Sequence, residues 1–255
     1  MNEKLAYFID LTAELTKKEL KVRYKSSILG YLWSILNPLS LALVFFFAFK
    51  LVMRIQVQDY ALFLISGLFA WQWLTNSVSL STSVYLNNAS LIKKVNFNRE
   101  ILPLTVVLND LIHFIISIPI IMIFTIIFHH KITPVLIYGL PLIMLSQFLM
   151  VYGMALAVAS INLFFRDLER LVSVFLLLAF YLTPVIYPDS FIPEQYRAYI
   201  YFNPFAPLMI FYHNLFLNGQ FSALEWEIST AYGLLFLAIG YFIFDRLKWK
   251  FAEVL

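Results

Sequence analysis

Residues 61–85 read ALFLISGLFAWQWLTNSVSLSTSVY, a run of apolar and uncharged polar residues with no Asp, Glu, Lys or Arg. At 1.5 Å of rise per residue, a helix over this run is long enough to cross the roughly 30 Å of hydrocarbon in a bilayer. A second uncharged run covers Ile132–Phe165. Working outward, four more apolar stretches have comparable character: Ile28–Met53, Ile101–Phe128, Leu171–Tyr187 and Ile228–Phe244. The fifth span in chain order, Leu171–Tyr187, is short, and Pro184 and Pro188 predict that it stops or breaks there. The expected fold is therefore all-α, a single membrane domain over residues 1–255 with six transmembrane helices.

Composition supports this reading. Hydrophobic residues make up 62% of the 255-residue chain and charged residues 13%, with a mean hydropathy of +0.81. Soluble domains carry about 25% charged residues, and a chain of this size cannot hide so much apolar surface from water. A soluble enzyme, a secreted module and a disordered protein are all excluded. With no cysteine there is no disulfide framework and no thiolate nucleophile. Residues 1–24 have neither an apolar h-region nor a small-residue cleavage site, so the amino terminus is expected to remain in the mature protein.

The positive charges orient the spans. Lys4, Lys17, Lys18, Lys21, Arg23 and Lys25 precede the first span, and Lys93, Lys94 and Arg99 follow the second. Arg166 and Arg170 follow the fourth, and Arg246, Lys248 and Lys250 lie in the tail. Only Lys50, Arg54, Lys131 and Arg197 fall on the other side. The positive-inside rule then places both termini in the cytoplasm, and an odd number of spans would scramble this segregation.

Three segments do not span. Over residues 1–25, Phe8, Leu11, Leu15 and Val22 form one helical stripe, with Asp10, Glu14, Lys17 and Lys21 on the other faces. This predicts an amphipathic helix in the cytoplasmic interface; the alternative is a soluble helix packed on the protein's own cytoplasmic side. Residues 87–100 are polar and then basic, with Asn87, Asn88 and Ser90 as helix-start residues. The stretch is either an inert loop or a short helix presenting Lys93, Lys94 and Arg99 to a cytoplasmic partner. Residues 188–227 are too long and too apolar for a free outer loop and predict short re-entrant or interfacial helices.

Catalytic patterns are scarce. No G-x-x-x-x-G-K-[ST] phosphate loop exists, so this chain cannot hydrolyse ATP by that route. Neither the H-E-x-x-H pattern nor the EF-hand pattern occurs, and no metal site is expected. Asp110 and His113 lie within a span, where ionisable groups are costly. They form either a relay or substrate contact, or a hydrogen-bonded pair that docks helices together with Asn109; the second reading is favoured. Arg166, Asp167, Glu169 and Arg170 predict a salt-bridged turn, with contact to a partner as the alternative.

Four local motifs carry a resemblance. Arg23-Tyr-Lys-Ser-Ser-Ile-Leu-Gly-Tyr-Leu-Trp33 precedes Asn37-Pro38, and Leu91-Ile-Lys-Lys-Val-Asn-Phe-Asn-Arg-Glu100 precedes Leu102-Pro103-Leu104. Phe165-Arg-Asp-Leu168 leads to Thr183-Pro-Val-Ile-Tyr187, and Asn203-Pro204-Phe205 follows on the outer side. In order and spacing, these resemble the permeases of bacterial ABC transporters that export O-antigen, teichoic acid and capsular polysaccharide. Asn98 stands where that family usually has proline.

The resemblance implies a homodimeric permease in the bacterial cytoplasmic (inner) membrane, with two copies of a separate cytoplasmic ATPase that carries ATP and Mg. It implies no cofactor in this chain and no nucleic-acid partner. Its cargo would be polysaccharide linked to polyprenyl diphosphate, a lipid moving beside membrane lipids. Residues 87–100, with Asn87, Asn88, Lys93, Lys94 and Arg99, match the ATPase-coupling helix. The first and fifth spans would line the conduit, with Tyr31, Trp33, Phe180, Tyr181 and Tyr187 as candidate lining aromatics. Asn203, Pro204 and Phe205 would belong to an outer gate within residues 188–227. Arg23 and Lys25 are candidates for receiving the diphosphate linker, the alternative being that they anchor the chain to anionic headgroups. An exporter of smaller substrates and an intramembrane enzyme acting on lipid-linked sugars are the competing classes.

Overall fold

The computed structural model describes residues 3–24 and 30–255, all-helical with connecting turns. Helix α1 (Glu3–Tyr24) precedes α2 (Trp33–Phe45), which widens into a π-helical segment over Phe46–Val52. Then come α3 (Tyr60–Thr82), the short α4 (Val84–Asn87) and α5 (Ala89–Lys94), and the long α6 (Ile101–Ile127) and α7 (Val135–Asn162). Helix α8 (Leu168–Leu182) is followed by α9 (Glu194–Arg197), α10 (Ala206–His213), α11 (Ala223–Leu247) and the terminal α12 (Phe251–Val254).

Five helical stretches are long and apolar enough to cross a membrane: 30–52, 60–82, 101–127, 135–162 and 223–250. The remaining expected span, Leu171–Tyr187, is shorter as a helix than predicted. Its helix ends at Leu182, because Thr183 precedes a proline and turns extended, with φ −99° and ψ 141°.

Helix α3 is the hub. Its two faces are both largely buried, and α2, α6, α7, α8 and α10 all pack on it. The closest crossing is between α7 and α11. A Cβ on Gly240 would fall 2.0 Å from the carbonyl oxygen of Gly153, and one on Gly233 would fall 2.7 Å from that of Ser146. Lipid supplies no hydrophobic drive for helices to associate, so close backbone approach and interhelical hydrogen bonds must supply it. Ser146 Oγ and Thr230 Oγ1, 2.8 Å apart, add such a bond.

Helix α1 differs from the expected stripe. Its packed face centres on Thr12 and Thr16, one turn apart and buried against α6, while Val22 is exposed. Each threonine donates its hydroxyl to its own helix, Thr12 to Phe8 O and Thr16 to Thr12 O, both at 2.7 Å. A residue whose hydroxyl is satisfied in this way can sit on a buried face.

Gly240→Ala places a methyl group where backbone already lies, so α7 and α11 must separate. The expected cost is about 1–3 kcal/mol, read as a lower unfolding midpoint of the purified chain in detergent, with Leu234→Ala on an exposed face of α11 as the neutral control.

Candidate functional site

Four elements converge on a cavity of about 350 Å³ between α1, α2, α3 and α6. Its walls mix rings with amides: Trp33, Trp73 and Phe114 stand among Asn37, Gln72 and Asn76. Trp73 stacks on Phe114, with ring centroids 5.4 Å apart, and Gln72 donates to Asn76 at 3.0 Å. At one edge Arg23 Nη1 meets Asp110 Oδ1 at 2.7 Å, and Ser77 Oγ donates to the other carboxylate oxygen at 3.1 Å. Asp110 is 2% exposed and Arg23 25%. The ion pair thus ties α1 to α6 and α3. Asp110 does dock helices, as the favoured sequence reading has it, but with Arg23 and Ser77 as its bonded partners. The Tyr31 ring lies 5.8 Å from that of His113. Lys25 lies outside the described residues.

Of the conduit aromatics, Tyr31, Trp33 and Tyr181 are exposed and Tyr187 is half-buried. Phe180 instead turns into the core, with its ring 5.7 Å from Phe45 and 5.8 Å from Trp71. Aromatic–aromatic packing across α2, α3 and α8 takes this ring, because it is on the face of α8 opposite Leu178 and Leu182, which stay exposed.

The stretch expected to couple is two short helices. They break at Asn88, whose side chain donates to Val84 O at 2.9 Å. Lys93 and Lys94 are exposed, but Arg99 points inward, contrary to expectation. Its guanidinium donates to the carbonyl of Lys248 and lies over the ring of Phe251, 5.8 Å from the centroid. Phe251 is fully buried and touches Tyr85, Phe164 and Phe244, so the tail holds α4 and the α7–α8 turn together. Nothing in the local sequence marks Phe251, since Tyr85, Arg99 and Phe164 come from three distant segments. Glu100, beside this cluster, has its carboxyl pKa raised by burial, with the charge of Lys248 opposing the rise.

The α7–α8 turn is not salt-bridged. Among the described residues no ion pair joins Arg166, Asp167, Glu169 and Arg170. Asn162 shapes it instead: its Oδ1 accepts from Glu169 N at 3.1 Å and its Nδ2 donates to Thr82 O at 2.9 Å.

On the far side, Asn203 organises the segment before α10. Its Oδ1 accepts from Phe205 N at 3.0 Å, and its Nδ2 donates to Thr183 Oγ1 at 2.9 Å. Pro204 is half-buried, while Phe205 is buried edge-on to Trp71, 5.7 Å away. Every residue of α10 is buried. Its polar side chains are satisfied: Tyr212 donates to Gln147 at 2.8 Å, Gln147 to Ala70 O at 2.8 Å, and the His213 ring bridges Ser66 Oγ and Pro184 O at 3.0 Å each. Outside this helix, Tyr201 donates to Glu225 at 3.0 Å, and burial pushes its phenol up to about 12.

A bundle of membrane-length helices, with a polar cavity at one end and a buried short helix at the other, marks a polytopic membrane protein. The family model described as ABC-2 type transporter matches residues 11–217, and the chain belongs to that family. Two relatives from Klebsiella pneumoniae, each called O-antigen export system permease protein RfbA, are 43% and 42% identical over all of this chain and 98% of their own length. A Myxococcus xanthus protein of the same name is 32% identical over 95% of this chain and 94% of its own. The chain is therefore the transmembrane subunit of an ABC exporter, a multi-pass membrane protein and not an enzyme.

Two predictions follow from the geometry. Arg23→Gln leaves the Asp110 carboxylate buried without its cation and costs about 3 kcal/mol or more. Asp110→Asn costs less, because Arg23 reaches solvent, and the double variant costs less than the sum; thermal unfolding of all three in a double-mutant cycle reads this. Phe251→Ala opens a cavity under α4 and costs about 3–5 kcal/mol, with faster protease cleavage at residues 87–99 as the local readout.

Proposed function

We propose that this chain is the membrane half of an exporter for O-antigen-type polysaccharide carried on polyprenyl diphosphate, crossing the bacterial cytoplasmic membrane with both termini in the cytoplasm. The carrying observation is the similarity, over 95% or more of the chain, to three permeases named for O-antigen export. Teichoic acid, capsule and drug cargoes, and intramembrane sugar chemistry, have no such support.

Energy must come from elsewhere, since the sequence has no phosphate loop. In this reading a separate ATPase, two copies per permease dimer, holds ATP and Mg and docks at residues 87–100. The exposed Lys93 and Lys94, ahead of a loop anchored through Arg99 and Phe251, favour such a contact: a partner can push a lever only if its base is fixed. Asn87 and Asn88 set the break between the two helices of that lever.

Six crossings follow if α8 is counted as a span. Its fifteen helical residues reach about 22 Å, and the turns of residues 183–187 continue the chain from its end. This restores an even number of spans and keeps the basic residues on one side. Residues 188–227 then form an outer gate in which α10 re-enters the bundle; its complete burial and satisfied polar groups suit that depth. Large apolar side chains exposed along the π-helical segment after α2 and along α8, including Phe47, Leu51, Leu178 and Leu182, suit a passage between two copies that opens sideways to lipid. Tyr31, Trp33, Tyr181 and Tyr187 would face the glycan there. Arg23, with Lys25, would receive the diphosphate by exchanging the Asp110 carboxylate for phosphate oxygens.

Reconstituted with its ATPase in vesicles, the wild type is expected to move lipid-linked glycan to the far side on ATP addition. Lys93→Glu with Lys94→Glu should reduce transport at least tenfold while leaving the permease folded. Full transport by that variant, or transport without any ATPase, defeats the reading.

A further inference from the structure

A groove of about 440 Å³ runs between α1 and α6, walled by Phe8, Ile9, Leu20, Leu111, Ile112 and Ile115. Thr12 and Thr16 also border it, but their hydroxyls are spent on their own helix. Sharing Lys17 and Leu20 with the groove is a second concavity of about 720 Å³, bounded by Lys17, Lys18 and Lys21. Glu14 lies there too and pairs with Lys17 at 2.7 Å, so three cations face one carboxylate. An apolar slot thus opens beside a net positive cup.

Depth matches this chemistry to a lipid, given the orientation proposed above. Helix α6 has 27 residues and extends about 40 Å, some 10 Å more than the hydrocarbon requires. At its outer end the chain turns at once into His129 and His130, so the excess falls at the cytoplasmic end, and the headgroup boundary lies close to Leu108, another wall residue of the groove. An extended peptide would find no partners for its backbone on such walls. A zwitterionic lipid brings its own cation to a cup that already holds three.

We infer that the α1–α6 groove is a binding site for one anionic phospholipid, with an acyl chain lying along the slot and the phosphate among Lys17, Lys18 and Lys21. Bound there, the lipid fills the gap under α1 and holds the helix that carries Arg23 against α6.

The test uses the purified permease in nanodiscs of palmitoyl-oleoyl phosphatidylglycerol, phosphatidylcholine or an equal mixture, followed by native mass spectrometry of the released protein. Retention of phosphatidylglycerol over phosphatidylcholine by tenfold or more is expected. Lys18→Gln with Lys21→Gln, both on an exposed face, should erase most of that preference. Ala13→Trp, which puts an indole into the slot, should displace the lipid; a matched circular dichroism spectrum checks that the helices persist. Should Ala13→Trp fail to fold, the lysine pair alone decides. Equal retention of the two lipids, or unchanged preference in the lysine variant, overturns the proposal. So does displacement of phosphatidylglycerol by equimolar polyprenyl phosphate, which would make the groove a cargo site. No step reads glycan export, so the answer stands whatever the cargo proves to be.

Discussion

Hydrocarbon offers no hydrogen bonds, and this one constraint shapes the whole molecule. Backbone that enters it must satisfy itself within helices, and so the chain is helical almost throughout. Several buried polar groups have partners on neighbouring helices. The chain from Tyr212 through Gln147 to the carbonyl of Ala70 crosses from α10 to α7 to α3, so a fully buried short helix is held by bonds rather than by apolar contact alone. His213 does the same toward Ser66 and Pro184. Gly67 opposite it leaves room for the ring, since a Cβ there would lie 2.7 Å from the imidazole.

The same constraint governs the charges. Arg23 and Asp110 each would be costly alone at their depth, and together they fasten α1 to two membrane helices. Arg99 follows a parallel logic at the basic end, where a carbonyl and an aromatic face substitute for water. Lys93 and Lys94, left exposed, are thereby distinguished from the cations that hold the architecture. In the coupling role proposed for residues 87–100, both kinds have a use: fixed residues at the root and free ones at the tip.

Helix–helix contact shows a second economy. Because lipid tails are as apolar as leucine, burying more leucine gains little, and the tightest interface uses glycine instead. Gly153 and Gly240 bring α7 and α11 together, while α2 and α8 keep large exposed apolar faces toward their surroundings.

Much of this was legible in the residues. Uncharged runs marked the long helices because spanning has a minimum length, and Pro184 marked the early end of α8 because proline disfavours helix at the residue before it. The motif order pointed to the exporter family. Other features needed the fold. Arg23 and Asp110 are 87 positions apart, and although an opposite pair of charges near spans hints at pairing, only packing could say that α1 brings them together. Val22 fitted a helical stripe by periodicity, yet α6 chose the face of Thr12 and Thr16. Phe180 and Tyr181 are neighbours of similar chemistry, and the rotation of α8 alone put one in the core and left the other outside. Sequence by itself determined which five stretches are long and apolar enough to span a membrane, since transfer from water is nearly additive over residues. Which side chains meet was decided by tertiary structure, because contact depends on helix rotation and crossing, and those are settled by many distant residues at once.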